Sequence, residues 1–504
     1  MASSPRVSLL HGFFTEESSK IMTSTTTTSA RMSSTTPTST AAHETVNLLD
    51  LASAALSSLI VASDQITSLA YQRDKNQKHE SGDSIENGES HHSLGSPNAM
   101  NIRLKDDGSF VTNADLAAQQ IIAQSLQKVS KSVRLVGEES EEEMSHHVIT
   151  GYEARAEEIF RLAKKEIQIR YHKQDDSLQY QSNDGEGQPK LPLAQEHPTK
   201  TQLAADGEND KNPLSVQTHR DLPVRPSSPS LVPVSPLKEY NVEVERVSVF
   251  IDPLDGTKAY AKGDYEPVSI LIAIILDQSP CFGVICKPFG HPGQTSVLNT
   301  GCVVIYGGTL LGAAYTAGGG LCHGTALQGN AVRVERPLSR TSMEDSAAEL
   351  APATTPLEWG LESDDAQAET TRTRKALPRA VISSSRSQGI VQEFVTHLGS
   401  KGMINPTPLM ISGAGEKSLR IILRRENEGL WFFPKGGTSL WDVAASDALL
   451  RATGGRLTDK NGQDMDYSKS RLEAENEDGV VACFDHSLHA ECIKLFLEGT
   501  WTDS

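Results

Sequence analysis

The sequence predicts an α/β fold interrupted by polar insertions, and three observations support that class. Short runs rich in valine and isoleucine, typical of buried strands, alternate with longer segments of helical composition. The longest apolar run, V-S-I-L-I-A-I-I-L from Val268, is followed by C-F-G-V-I-C at 281–286, and the two predict a β-hairpin. Between the apolar segments lie stretches dense in Pro, Gln, Ser and acidic residues, which bury too little surface to offset the entropy of ordering.

The elements follow from periodicity and from the residues that interrupt it. Leu48, Leu56 and Ile60 belong to an apolar pattern that predicts a first helix over 46–71. Charge pairs four residues apart, such as Glu157 with Arg161, support a helix over 151–170. Further helices are predicted at 114–126, 388–398, 442–453 and the end of 480–497. Further strands are predicted at 133–136, 247–251, 380–384, 430–433 and the start of 480–497, with strands and turns in the Gly-rich stretch 307–329.

Composition excludes several classes of protein. The 504 residues carry 47 Lys and Arg against 65 Asp and Glu, a formal charge of −18, which argues against a nucleic-acid polymer as partner because phosphate binding depends on basic residues. Six cysteines without C-x-x-C spacing indicate neither a zinc site nor a disulfide framework, and they suit a reducing compartment. No apolar run approaches the ~20 residues that span a bilayer, so no membrane span is expected.

Composition also divides the chain. Residues 1–43 are Ser/Thr-rich and are expected to form a disordered tail, or else an organellar transit peptide, so the expected location is cytoplasmic or organellar. Low-complexity insertions are predicted at about 73–100, 172–238 and 337–378. Oligomeric state is not fixed by the sequence.

The strongest chemical signal is F-I-D-P-L-D-G-T-K-A-Y at 250–260. An apolar strand delivers Asp252 to its end, Pro253 stiffens the turn, and Asp255 follows three positions later. Hard oxygen ligands grouped in this way suit Mg²⁺ or Mn²⁺ better than zinc, while Gly256 and Thr257 offer an open backbone for a phosphate and a hydroxyl for a water. An ordinary Asp-Pro turn explains the spacing about equally well.

Two further acidic residues, Glu138 and Asp442, favour a metal site, and a third, Asp115, is a catalytic candidate for which an ordinary helix-start acid is about as good an explanation. Glu138 ends the short strand V-R-L-V in G-E-E-S, although an acidic run is more often a solvated face. Asp442 in S-L-W-D-V-A-A begins a helix, where a capping role alone would explain it. Asp115 in S-F-V-T-N-A-D lies in the first turn of a helix, whose dipole is expected to keep the carboxylate ionised.

Together, T-x-x-D, G-E-E, D-P-L-D-G-T and W-D-x-A…G-G resemble, in order, the Mg²⁺-dependent, lithium-sensitive phosphatases of the inositol monophosphatase superfamily. The resemblance implies a layered α-β-α-β-α sugar-phosphatase fold that binds two or three Mg²⁺ ions. It implies that Glu138, Asp252 and the Leu254 carbonyl hold one ion, that Asp252, Asp255 and Asp442 hold a second, and that Thr257 with Asp115 activates the attacking water. Because these ligands must converge, residues 44–498 are predicted to form a single catalytic unit of two sub-halves.

Within the superfamily the motifs are most similar to the 3′(2′),5′-bisphosphate nucleotidases. That resemblance implies substrate contacts by Gly256, Thr257, Ser385, Gln388, Gly413 and Lys417, and release of the 3′-phosphate of 3′-phosphoadenosine 5′-phosphate. Gln388 stands where those enzymes usually have His, which puts substrate preference in doubt. Inositol polyphosphate 1-phosphatase activity is the alternative, and a non-catalytic phosphate-binding scaffold is the alternative outside enzymes. In each case the expected partner is a small phosphorylated molecule.

Overall fold

The computed structural model describes residues 43–82, 102–105, 110–145, 149–183, 240–290, 302–318, 332–334, 376–424 and 426–501. The chain divides into two compact units, Met1–His43 and Glu44–Ser504. The architecture below is that of the second unit. The predicted tail lies outside the described residues, apart from His43. So do 83–100, 184–238 and 337–375 of the predicted insertions.

Helices occur where apolar periodicity predicts them, and two of them extend further than predicted. Residues 72–82 and 172–183 are helical, so the predicted insertions at 73–100 and 172–238 begin later than the sequence indicated. These extensions lie beyond the segments with apolar periodicity and are mostly polar, and both include Gln and Lys, which favour helix without burial. In the described residues the helices are α1 (Leu48–Gly82), α2 (Asn113–Val129), α3 (Glu141–Ser145), α4 (Glu153–Asn183), α5 (Thr257–Lys262), α6 (Ile390–Ser400), α7 (Ala414–Leu423), α8 (Leu440–Thr453) and α9 (His486–Glu498).

Strands likewise follow the apolar runs, with short additional strands at loops and edges. In the described residues they are β1 (Thr45–Asn47), β2 (Arg103–Leu104), β3 (Phe110–Val111), β4 (Arg134–Gly137), β5 (Asn241–Glu243), β6 (Val247–Asp255), β7 (Ser269–Leu276), β8 (Ser279–Lys287), β9 (Val303–Gly308), β10 (Ala313–Gly318), β11 (Val332–Arg333), β12 (Arg379–Ser383), β13 (Leu409–Ile411), β14 (Glu428–Phe433), β15 (Thr438–Ser439), β16 (Arg456–Thr458), β17 (Glu475–Asn476) and β18 (Val480–Cys483).

The larger sheet has seven strands in the order β11-β10-β9-β8-β7-β6-β4. Its neighbours are antiparallel except β4 and β6, which run parallel, with Gly137 opposite Ile251. The predicted hairpin is confirmed: β7 and β8 are joined through Asp277 and Gln278, whose φ angles of 50° and 63° suit a two-residue turn that matches the strand twist.

The smaller sheet has five strands in the order β13-β12-β14-β18-β16. Strand β12 is parallel to both β13 and β14, while β18 is antiparallel to β14 and to β16. The carboxyl ends of β12, β13 and β14 therefore meet at one edge, where ligands bind in open α/β sheets.

Alternate side chains along each strand point to opposite faces of the sheet, and this determines which helices pack on each face. In β7, Ile270, Ile272 and Ile274 pack in the cluster formed with α1, α2 and α4, while Leu271 and Ala273 face the cluster that contains α7 and α8. On the smaller sheet, Trp431 belongs to this second cluster, whereas the neighbouring strand positions pack with α6 and α9. Helices α7 and α8 thus lie between the two sheets. The predicted α-β-α-β-α order is confirmed.

Helix α1 passes a length-and-hydropathy test for membrane spans over Leu48–Lys75, and no other helix of the described residues does. That window is 83% buried within the protein, where α1 packs against α2, α4 and the larger sheet. A helix that is apolar on most sides is expected when it is enclosed by other elements. Burial accounts for its composition.

Candidate active site

Two predicted ligand segments meet because β4 and β6 are parallel. Glu138 directly follows β4, and its amide donates to the Ile251 carbonyl at 3.1 Å. Asp252 is 1% exposed on the neighbouring strand, where its Oδ1 accepts from the Leu254 amide at 3.1 Å. Pairing with β7 shifts register between Asp252 and Asp255, and this irregularity turns the end of β6 toward the site.

The predicted Thr257–Asp115 pair forms across 142 residues of sequence. Thr257 Oγ1 lies 3.0 Å from Asp115 Oδ1 and 2.9 Å from the Leu254 carbonyl, so its single proton has two alternative acceptors. Asp115 Oδ2 accepts from the Thr112 amide at 2.8 Å and from the Thr112 hydroxyl at 2.6 Å. These bonds fix the carboxylate at the start of α2 and direct its other oxygen at Thr257.

The charge state expected of Asp115 needs correction. From the sequence, the helix dipole is expected to keep this carboxylate ionised. Asp115 is fully buried, and burial, with the Glu138 charge adding to it, raises its pKa to about 7 despite the hydrogen bonds from Thr112 and Thr257. Desolvation exceeds what the first turn of a helix can supply.

Asp255 is bound by the start of α7. Its oxygens accept from the Ala414 amide at 3.1 Å, the Gly415 amide at 2.8 Å and the Ser269 hydroxyl at 2.9 Å. Gly413, a predicted substrate contact, permits this approach: its φ is 74°, and a Cβ there would lie 2.9 Å from Asp255 Oδ2. Helix α7 was not predicted from the sequence.

Asp442 is the third residue of α8 rather than its first, because the helix begins at Leu440, two residues earlier than predicted. Its Oδ2 accepts from the Ser439 amide at 2.6 Å in a capping box, so the capping role that the sequence allowed is real. The residue also faces the other acids. It shares a hydrogen bond with Asp252, and burial, followed by the Asp255 charge, raises the pKa of Asp442 to about 7.

Four carboxylates therefore converge, from Glu138, Asp252, Asp255 and Asp442. Burial raises the pKa of Asp252 well above its usual value, and the other three carboxylates each raise it further. Within the described residues no three acidic, histidine or cysteine side chains form a ready-made metal cluster. The donor set nevertheless fits a hard divalent cation such as Mg²⁺, because every donor is an oxygen and the buried negative charges lack sufficient compensation.

Three of the predicted substrate residues fall into two groups, the buried Lys417 and the exposed Ser385 and Gln388. Lys417 is 7% exposed; its Nζ donates to the Gly413 carbonyl at 2.6 Å and lies 5.7 Å from the centre of the Trp431 ring. Burial lowers the pKa of Lys417 to about 8 against the opposing effect of Asp255 and Asp442. Ser385 and Gln388 are exposed between β12 and α6, and no described contact joins either to the carboxylates.

Two basic residues at the site were missed by sequence reasoning. Lys105 lies 3.2 Å from Glu138 Oε1 and 2.7 Å from Glu139 Oε1; although burial opposes it, the two acids raise the pKa of the lysine. Arg386 donates to the Gly437 carbonyl at 2.7 Å and adds to the lowering of the pKa of Lys417. Arg386 lies within the S-S-S-R-S segment beside Ser385, which was a usable signal, whereas Lys105 stands in a polar loop that gave none.

Comparisons with known proteins show to which family the chain belongs. The Inositol monophosphatase family profile matches residues 228–497, more than half of the chain. A 3′(2′),5′-bisphosphate nucleotidase 1 of Dictyostelium discoideum is 26% identical over 256 residues, 50% of this chain and 65% of that protein. Inositol monophosphatase 3 of Danio rerio is 26% identical over 262 residues, 51% of this chain and 56% of that protein. The chain thus spans less than two thirds of the length of either relative.

Among solved structures, CysQ from Bacteroides thetaiotaomicron, a bacterial member of the inositol monophosphatase family, is 15% identical, with a TM-score of 0.40 over 86% of this chain and 97% of that chain. The profile match begins at residue 228, after Asp115 and Glu138, yet the structure brings both residues to the matched segment. The chain belongs to the inositol monophosphatase family.

Proposed function

We propose that the chain is a Mg²⁺-dependent phosphomonoesterase that converts 3′-phosphoadenosine 5′-phosphate to AMP and phosphate. The observation that carries the proposal is the Thr257–Asp115 contact beside four converging carboxylates, because hydrolysis needs both a site for cations and a proton acceptor near the attacking water. The similarity to a bisphosphate nucleotidase supports the nucleotide substrate.

The proposed chemistry assigns one role to each residue of the site. Thr257 accepts a proton from the attacking water while its own hydroxyl proton passes to Asp115 Oδ1, the acceptor at 3.0 Å. The pKa of Asp115, raised by burial to about 7, suits a group that accepts a proton near neutral pH. Glu138, Asp252, Asp255, Asp442 and the Leu254 carbonyl would hold two or three Mg²⁺ ions, which supply charge neutralisation for the attacking and leaving oxygens.

An inositol polyphosphate 1-phosphatase is the second candidate. The similarity to an inositol monophosphatase supports it. Gln388, exposed before α6, supports it as well, because an amide donates hydrogen bonds without carrying the charge that a histidine can carry. The two substrates share the reaction chemistry and differ in what surrounds the phosphate.

The test is phosphate release by the purified full chain. 3′-Phosphoadenosine 5′-phosphate and inositol 1,4-bisphosphate are each offered with Mg²⁺, with EDTA, and with Mg²⁺ plus Li⁺. We expect Mg²⁺-dependent, Li⁺-inhibited release from the nucleotide; release from the inositol phosphate alone would reverse the ranking, and release from neither would refute the proposal.

Two matched variants distinguish the loss of a carboxylate at the proposed metal site from the loss of one on the surface. Asp252→Asn removes a charge at the centre of the carboxylates and should abolish turnover. Asp478→Asn removes an exposed carboxylate that pairs with Lys460 at 2.9 Å and should leave turnover unchanged. Retained activity in Asp252→Asn would contradict the assigned metal site.

A further inference from the structure

We propose that Arg471 is a positioning residue that fixes Glu138 for metal binding. Its Nε donates to the Gly137 carbonyl at 3.1 Å and its Nη2 donates to the Glu138 carbonyl at 2.6 Å. The Glu138 amide is already bound to Ile251 on β6. Both sides of the Glu138 backbone are therefore fixed, and this fixes the point from which its side chain, paired with Lys105 at 3.2 Å, reaches the other carboxylates. The inference rests on the proposed function, since it concerns the same metal site.

The segment that carries Arg471 also holds Asp442. Three residues after Arg471, the Ala474 carbonyl accepts from the Leu440 amide at 2.8 Å. Strand β17 then pairs with β15, placing Glu475 opposite Ser439, the residue that caps α8 and binds Asp442. One short segment, 471–476, thus connects the backbone of Glu138 in one half of the unit to the start of the Asp442 helix in the other.

Arginine suits this task better than lysine does. Two N–H groups of one planar guanidinium reach two successive carbonyls, which a single ammonium cannot match in geometry. The turn at Arg471 is itself stabilised, because Ser470 and Glu473 form a capping box across it. Glu143 Oε2 lies 3.7 Å from Nη2 and adds an ion pair that orients the guanidinium. Outer contacts of this kind orient metal ligands in other proteins.

Arg134 provides a matched control. It lies on β4 and donates to the Ser468 carbonyl at 3.0 Å and to the Lys469 carbonyl. It therefore joins the same two parts of the protein as Arg471, but its described hydrogen bonds go to Ser468 and Lys469 rather than to Gly137 or Glu138. Loss of Arg134 removes contact between these parts without releasing the ligand backbone.

The test is Mg²⁺ binding by titration calorimetry with the full chain, free of substrate. We expect Arg471→Met to weaken Mg²⁺ affinity by roughly 10- to 100-fold, Arg471→Lys to weaken it less, and Arg134→Met to leave it unchanged. Urea unfolding in EDTA monitors folding, and if Arg471→Met fails to fold, Arg471→Lys carries the comparison.

Wild-type affinity in Arg471→Met, or in Arg471→Lys where that variant carries the comparison, would overturn the inference while leaving the proposed function intact. An equal loss in Arg134→Met would also overturn it, because the effect would then be one of general loosening. A wild-type chain that binds no Mg²⁺ would overturn both, since there would be no site to position.

Discussion

Gly413→Ala is the sharpest test of how α7 builds the site. Gly413 precedes α7 with φ 74° and ψ 139°, a conformation that an alanine adopts only under strain. A Cβ there would lie 2.8 Å from the Pro267 carbonyl oxygen and 2.9 Å from Asp255 Oδ2. The first of these neighbours is backbone at the approach to β7, and the second is the carboxylate that the next two amides hold.

The expected magnitude has two parts. A sparsely populated backbone conformation such as φ 74°, ψ 139° costs an L-residue about 1–3 kcal/mol, and overpacking against fixed neighbours costs about 1–3 kcal/mol. The free energy of unfolding should therefore fall by about 2–6 kcal/mol on these terms. Gly402→Ala is the control: its φ is 67°, but a Cβ there meets nothing within 4 Å. That variant should lose only the strain, about 1–2 kcal/mol.

Urea unfolding of both variants separates strain from contact, and phosphate release with Mg²⁺ reports on the site. We expect Gly413→Ala to lose more stability than Gly402→Ala and also most of its activity, because Asp255 must move away from its amide donors. Equal stability losses, or full activity in Gly413→Ala, would refute the reasoning.

Three further predictions follow from other contacts. Thr257→Val removes the hydroxyl that reaches Asp115 and should lower kcat by roughly 10²- to 10⁴-fold, with Thr257→Ser restoring much of it; steady-state kinetics with little change between the variants would count against the relay. Burial lowers the pKa of His489 to about 4, so the unfolded state binds the extra proton below pH 6.5, and stability should fall by about 3 kcal/mol between pH 6.5 and 4. Urea midpoints across that range should show a smaller fall in His489→Gln, and an unchanged fall would rule the histidine out. Arg386→Met should raise KM for a doubly phosphorylated substrate more than for a singly phosphorylated one, since the exposed guanidinium is close enough to lower the pKa of Lys417 and could pair with a second phosphate; equal changes in KM would exclude that role.

Hydrophobic periodicity predicted the helices and strands that pack in the core. It missed helical segments that no apolar pattern indicates. The alternation along β7 is visible in the sequence because each of its faces packs against a different apolar layer. The sequence predicted ends for α1 and α4 that precede the observed ends, because both helices continue beyond their apolar periodicity. Helix α7 begins A-G-E-K, where glycine opposes helix formation, and tertiary contacts with Asp255 override that local preference.

The site was predictable in its residues and less so in its connections. The acidic residues that the structure brings together stand in motifs that the sequence shows directly. Contacts such as Thr257 with Asp115, or Arg471 with Glu138, join positions 142 and 333 residues apart, and no local pattern encodes them. Oriented backbone donors were equally hidden, because any residue supplies an amide and only the fold decides where it points.

Oriented backbone amides explain how the fold tolerates four carboxylates that lie close together. Carboxylates that share a buried site repel one another, and desolvation adds to the cost. Asp255 and Asp442 are each held by backbone amides, and Glu138 is 3.2 Å from the Lys105 ammonium. Asp252 also accepts from a backbone amide, that of Leu254, yet its pKa is raised by burial and by all three neighbouring carboxylates. A divalent cation that bound this folded arrangement and not the unfolded chain would stabilise the fold, which would link stability to metal occupancy through the same four residues.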